Sequence, residues 1–106
     1  MIDGYVGMEG DGPTQGDPVD HRMALAGTDP VAVDAACAYL MGFSPEEIGY
    51  LQHAARLGLG TADLEKIEVI GSPLEIARRR YRPHRTYRKQ LHWQPSEELL
   101  AAFERP

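Results

Sequence analysis

Residues 31–41, VAVDAACAYLM, carry one charged side chain in eleven positions, Asp34. A helix this apolar around its circumference has to be buried on more than one side, so it predicts the centre of a folded domain rather than a surface element. Its start is legible in Thr28-Asp29-Pro30, with Asp29 as the side-chain cap and Pro30 at the first helical position, and Gly42 stops it. Asp34 is the position to be explained. An unpaired carboxylate in such a helix costs several kcal/mol, so it must meet donors, a cation or water at the edge of the core. About one turn from the N-terminus of its helix, it is expected to face the end of a sheet, beside the glycine-rich stretch upstream.

The chain has 106 residues, which fits one small domain. No uncharged apolar run approaches the roughly 18 to 20 residues of a membrane span. The opening MIDGYVGMEGDG has neither the basic start nor the apolar core of a secretory signal, so a cytoplasmic location is expected. Cys37 is the lone cysteine and cannot form an internal disulfide, a zinc site or an iron–sulfur cluster without another chain, so no iron–sulfur cluster is expected on this one. Centred in the apolar helix, it is expected to be buried and inert.

Residues 2–6 and 21–26 predict strands, and 66–70, KIEVI, alternates as a third. Between the first two, residues 7–18 (GMEGDGPTQGDP) hold four glycines and two prolines and predict a loop. Ser44-Pro45-Glu46-Glu47 reads as a capping box opening a helix over 45–57, with Ile48, Leu51 and Ala55 as its buried stripe. Ser72-Pro73-Leu74-Glu75 repeats the pattern for a third helix to about residue 80, and a late helix is expected over 96–104. The order predicts an α/β fold: a small layered domain with a short mixed sheet of about three strands covered by the helices at 30–41 and 45–57. The expected division is a core domain over 1–77 and a basic C-terminal arm over 78–106.

Where the glycine stretch meets the apolar helix, the sequence resembles the C-terminal part of the DUF362 family, a group of unassigned function. The residues carrying the resemblance are Asp3-Gly4, Gly7-Met8-Glu9-Gly10-Asp11-Gly12-Pro13, Gly16, the run AGTDPVAVDA from Ala26 to Ala35, Met41-Gly42 and Gly58-Leu59-Gly60. It spans roughly residues 1–71. The resemblance implies a preceding α/β half that this chain lacks. Some members also carry ferredoxin-like cysteine clusters; with Cys37 alone, that redox role does not carry over.

The acidic glycine stretch is the leading candidate site. Glu9, Asp11 and Asp17, with Asp34 from the helix, are a set of hard oxygen donors suited to a divalent cation such as Mg²⁺ or Ca²⁺. Gly10, Gly12, Asp29 and Asp34 are the expected contacts of a small ligand, including an anionic one bridged by metal. The stretch matches neither an EF-hand nor a phosphate loop, and it could equally be architecture, with Asp34 accepting from loop amides. No catalytic residue is identified. If the chain completes an enzyme only as an oligomer, one of these carboxylates is the candidate general base. The four histidines show no metal spacing and are expected at the surface or in packing.

Charge divides the chain. Residues 1–50 hold nine acids against one base, whereas residues 78–89 (RRRYRPHRTYRK) hold seven Lys or Arg and no acid. Tyr81 and Tyr87 interleave these cations as a single-stranded nucleic acid would require, but the overall charge of −5 makes nucleic acid an unfavoured partner. The alternative is that the arm lies across an acidic surface of its own or a neighbouring subunit, anchored by Trp93, Leu99, Leu100 and Phe103. Three strands leave open edges, so a homodimer is the expected state, made by edge pairing or by exchange of the arm.

Overall fold

The computed structural model describes residues 1–93; the late helix expected over 96–104, and with it Leu99, Leu100 and Phe103, lies outside the described residues. The fold is α/β. Strands β1 (Ile2–Asp11) and β2 (Gln15–Leu25) form a two-stranded antiparallel sheet. Helix α1 (Pro30–Leu40) follows, then a 3₁₀ turn (Pro45–Glu47), α2 (Gly49–Arg56), a second 3₁₀ turn (Leu64–Lys66), α3 (Leu74–Ala77) and α4 (Tyr87–Gln90).

The first helix forms as its sequence requires. The Asp29 side chain accepts from the Ala32 amide at 3.0 Å, Pro30 opens the first turn, and Val31, Ala35, Ala36, Ala38 and Leu40 are buried. Val31, Ala35 and Ala38 pack with Leu51 of α2 and Ala62, and Ile48, Ala55, Leu64 and Ile67 close around them. The expected stripe of the second helix is therefore in place, but its start is not. Ser44 makes no side-chain cap bond, Pro45–Glu47 is a 3₁₀ turn, and Ile48 is extended (φ −98°, ψ 112°), so α2 begins at Gly49. The Gln52 side chain donates from Nε2 to the Pro45 carbonyl at 3.0 Å and holds that offset.

Two further expectations are corrected. Residues 7–18 are not a loop: β1 runs unbroken to Asp11, and Gly7↔Val19, Met8↔Pro18, Glu9↔Asp17, Gly10↔Gly16 and Asp11↔Gln15 are paired, with a cis Gly12–Pro13 peptide in the connection. Glycines there serve close approach rather than a loose chain. A Cβ on Gly7 would collide with the Tyr81 ring, and Gly10, at φ +84°, has the Arg82 side chain over it. Residues 66–70 are not a third strand. Ile67 is extended and packs on the core, but among the described residues no strand pairs with the segment, and Val69 and Ile70 are exposed. A layer of helices over a three-stranded sheet is thus replaced by a helical cluster beside a hairpin, with α1 packed against α2, α3 and both 3₁₀ turns. The third helix ends at Ala77 rather than near residue 80.

The ladder slips once, between Gly4↔Met23 and Val6↔Asp20. β1 has one residue there and β2 two, His21 and Arg22, with Arg22 at φ +55°. Such a bulge re-aims a side chain. Here it drives His21 inward, to 3% exposure.

Candidate functional site

Residues 78–93 form a strap that ties the hairpin to the helices. It leaves the helical body at the end of α1, where the Arg79 amide donates to the Leu40 carbonyl (2.7 Å) and the Tyr81 amide to that of Met41 (2.9 Å). Arg78 lies over the Tyr39 ring at 4.4 Å and donates from Nε to the Tyr39 carbonyl. Tyr81, 5% exposed, passes under Gly7 and meets His21. His21 Nε2 lies 2.6 Å from the Ala77 carbonyl and must donate to it, so in the neutral ring Nδ1 accepts from the Tyr81 hydroxyl at 2.8 Å. Burial pushes the Tyr81 phenol up from its ordinary range.

The strap then crosses the acidic end of the hairpin. The Arg82 amide donates to Glu9 Oε2 (2.8 Å), and the Gly10 amide donates to the Arg82 carbonyl (2.8 Å). The Arg82 guanidinium binds Asp17 and reaches Glu9 at 3.9 Å; its Asp17 hydrogen bond, then the Asp17 charge, hold it above even its usual high range. The Arg85 amide donates to Asp11 Oδ1 (2.8 Å), and its Nε lies 3.3 Å from Oδ2. His84 Nδ1 accepts from the Thr86 amide (3.1 Å), which leaves Nε2–H facing Asp11 at 3.8 Å. Exposed ion pairs of this kind are individually weak, so position comes from the three backbone amides and charge sets the sign of what fits.

Returning to the helices, the strap fixes Tyr87 and Trp93 against the first 3₁₀ turn. The Tyr87 hydroxyl donates to Glu47 Oε2 (3.0 Å) with its ring 5.6 Å from Phe43, and Trp93 Nε1 donates to the Glu47 carbonyl (2.8 Å) with its ring edge-on to His53. Both tyrosines that could have stacked on bases are therefore engaged within the fold. The arm lies across its own chain's acidic surface, one of the two arrangements its sequence allowed.

The expected site residues separate into three places. Glu9, Asp11 and Asp17 sit together under the strap, flanked by Gly10 and by Gly12, over which the Met8 sulfur lies. Asp29 caps α1 and also accepts from the Thr61 amide at 3.0 Å; these two amides, that of Ala32 first, hold its carboxyl below the ordinary range. Asp34 is half-buried and accepts from the Tyr50 hydroxyl at 3.3 Å. Its charge adds to burial in pushing up both Tyr50 and Cys37. Among the described residues there is no group of three or more His, Cys, Asp or Glu side chains able to hold a metal ion, so Asp34 does not join the hairpin carboxylates. Two clefts flank the core, of about 890 Å³ beside Glu46, Gln52 and Asp63 and about 520 Å³ between Leu25, Val33 and Ile67, and none of the hairpin acids lines either. The residues that sequence reasoning left out of the site are His21, Tyr81, Arg82 and Arg85; their signal was the match between the basic run and the acidic stretch.

A chain of this architecture, an acidic hairpin strapped to a helical cluster, has a counterpart among known families for its first part. The family described as "Domain of unknown function (DUF362)" matches residues 1–39, which hold the hairpin and nearly all of α1. The resemblance to that family thus holds over the N-terminal part of the chain, and the match ends well before residue 71. No curated protein and no solved structure matches the chain. No helix among the described residues is long and apolar enough to cross a membrane.

Proposed function

We propose that this chain is a binding and assembly domain whose acidic hairpin is a receptor for a basic segment, occupied here by its own residues 78–89. The observation that carries this is the Glu9↔Asp17 pair: two carboxylates directly opposite on a hairpin repel, and Arg82 sits on both. The strap has the chemistry of a ligand, with Arg82 and Arg85 on the hairpin carboxylates and a backbone that is itself hydrogen-bonded to the receptor. Peptide titration tests it. A synthetic 78–89 peptide is expected to bind the Arg82→Glu/Arg85→Glu protein more tightly than the wild type, whose receptor is filled. Equal weak binding to both ends the reading.

A second reading keeps a divalent cation on Glu9 and Asp17, standing where the Arg82 guanidinium stands. Asp11 meets Arg85 instead, and because the described residues hold no group of three ligands, a third is needed from elsewhere. Asp34 would have to be brought in by a partner or a rearrangement. Calorimetric titration of Mg²⁺ or Ca²⁺ into Arg82→Ala separates the two: saturable heat in the variant supports the ion, and none removes it. The single cysteine, Cys37, supports a cytoplasmic setting.

A further inference from the structure

Residues 68–73 join the core to the strap, and all six are exposed. Ile67 before them packs on the core, and Leu74 after them begins α3, which packs on α1. The backbone of 68–72 makes no hydrogen bond to another described residue. Yet 66–70 alternates as a strand does, and beyond Ile67 its apolar members are left in water, Ile70 at 90% exposure and Val69 at 43%. An unpaired strand-forming segment between a core and a charge-matched element that docks elsewhere on the chain has the makings of a hinge.

We propose that two copies of this chain exchange straps: residues 74–93 of each close on the hairpin and helices of the other, 68–73 are the hinge, and the two 66–70 segments pair antiparallel where they pass. This rests on the strap being the hairpin's ligand. Every docking contact described above is kept in the exchanged form, with Arg82 and Arg85 of one copy on Glu9, Asp11 and Asp17 of the other and Tyr81 of one copy on the other's His21. The open receptor and the strap have opposite charge, so the occupant that fits an empty hairpin is a second strap. What changes is the hinge. Six residues reach about 20 Å when extended, enough to carry the strap off its own body. The pairing then satisfies the backbone of 68–70, which one chain leaves unpaired, and gives Val69 and Ile70 a neighbouring strand. The strand expected at 66–70 thus appears only in the dimer.

Sedimentation velocity over a wide concentration range tests this on three preparations of the full chain. The wild type is expected to dimerise with concentration. Removal of Gly71 and Ser72, which shortens the hinge and penalises closure within one chain, is expected to lower the dimerisation midpoint at least tenfold. A chain with Arg82→Glu and Arg85→Glu, mixed with one carrying Glu9→Lys, Asp11→Lys and Asp17→Lys, is expected to give a heterodimer, since exchange matches charge at both hairpins. Monomers throughout overturn the proposal, as does a wild-type dimer whose charge-reversed pair fails to select the heterodimer. Amide exchange at Gly10 and Arg82 tells which idea has failed. Protection in a monomer leaves the strap reading standing and removes exchange alone, whereas rapid exchange in monomer and dimer alike removes both.

Discussion

Glu9 stands directly across the hairpin from Asp17, and both carboxylates are met by Arg82, 73 and 65 residues further along the chain. The hairpin's acidic end is therefore not self-sufficient. Arg82→Ala is expected to speed amide exchange at Gly10 and Asp17, and Arg82→Glu to speed it further. Because the pairs are exposed, the gap between wild type and Arg82→Ala narrows at about 1 M salt, where the screening length is about 3 Å. No gap at any salt would mean that the Arg82 backbone alone does the holding.

His21 is the buried end of the same arrangement. His21→Ala leaves the Tyr81 hydroxyl and the Ala77 carbonyl without their partner and is expected to cost about 1–3 kcal/mol in chemical denaturation. Tyr81→Phe removes one hydrogen bond and is expected to cost about 0.5–1.5 kcal/mol. Nitrogen-15 shifts of the ring check the tautomer: in the neutral ring the proton is on Nε2.

Gly7 is glycine because a ring passes over it. Gly7→Val is expected to lift Tyr81 and loosen the whole strap, seen as faster exchange at Arg82. Tyr81→Ala in the same chain relieves the clash, so the two substitutions are strongly non-additive in stability. Additive effects would place the cost in the strand itself.

Asp29 links acid stability to α1. Its carboxyl is held below the ordinary carboxylate range by the Ala32 and Thr61 amides. A depressed native value means stability that is present above the unfolded value and lost as pH falls through the native one. Thermal melts between pH 5 and 2 are expected to show a shallower acid limb for Asp29→Asn than for wild type. At pH 7 the variant melts lower, since Oδ1 accepts from Ala32 and Oδ2 from Thr61, and an asparagine has one acceptor oxygen for the two amides.

The core was legible in the sequence because each local signal there agrees with the others. A capped run with one charge has few ways to sit except in the middle, and Leu51 and Ala55 follow at helical spacing. The outer part of the hairpin was legible as strands at 2–6 and 21–26, but its inner part was not, because counting glycines and prolines measures freedom in an isolated chain, whereas Gly7 and Gly10 are set by what lies over them. The site was half legible. Glu9, Asp11 and Asp17 are together, but a carboxylate's partner is fixed by the fold, and Asp34 meets a tyrosine on α2. The segment 66–70 has the period of a strand without a neighbour to pair with; alternation specifies a face, and only pairing makes a sheet.

The bulge at His21 and Arg22 has one more effect. Gly4 and Val6 share a face of β1, so their partners Met23 and Asp20 share a face of β2 despite opposite parity. β2 is in effect two rulers laid end to end and set one notch apart. The notch lets odd-numbered Met23 look the same way as even-numbered Asp20, while Asp17 stays beside Glu9. Deleting one residue there would turn inside to outside along half the strand, so the length of β2, as much as its lettering, is part of what holds the strap.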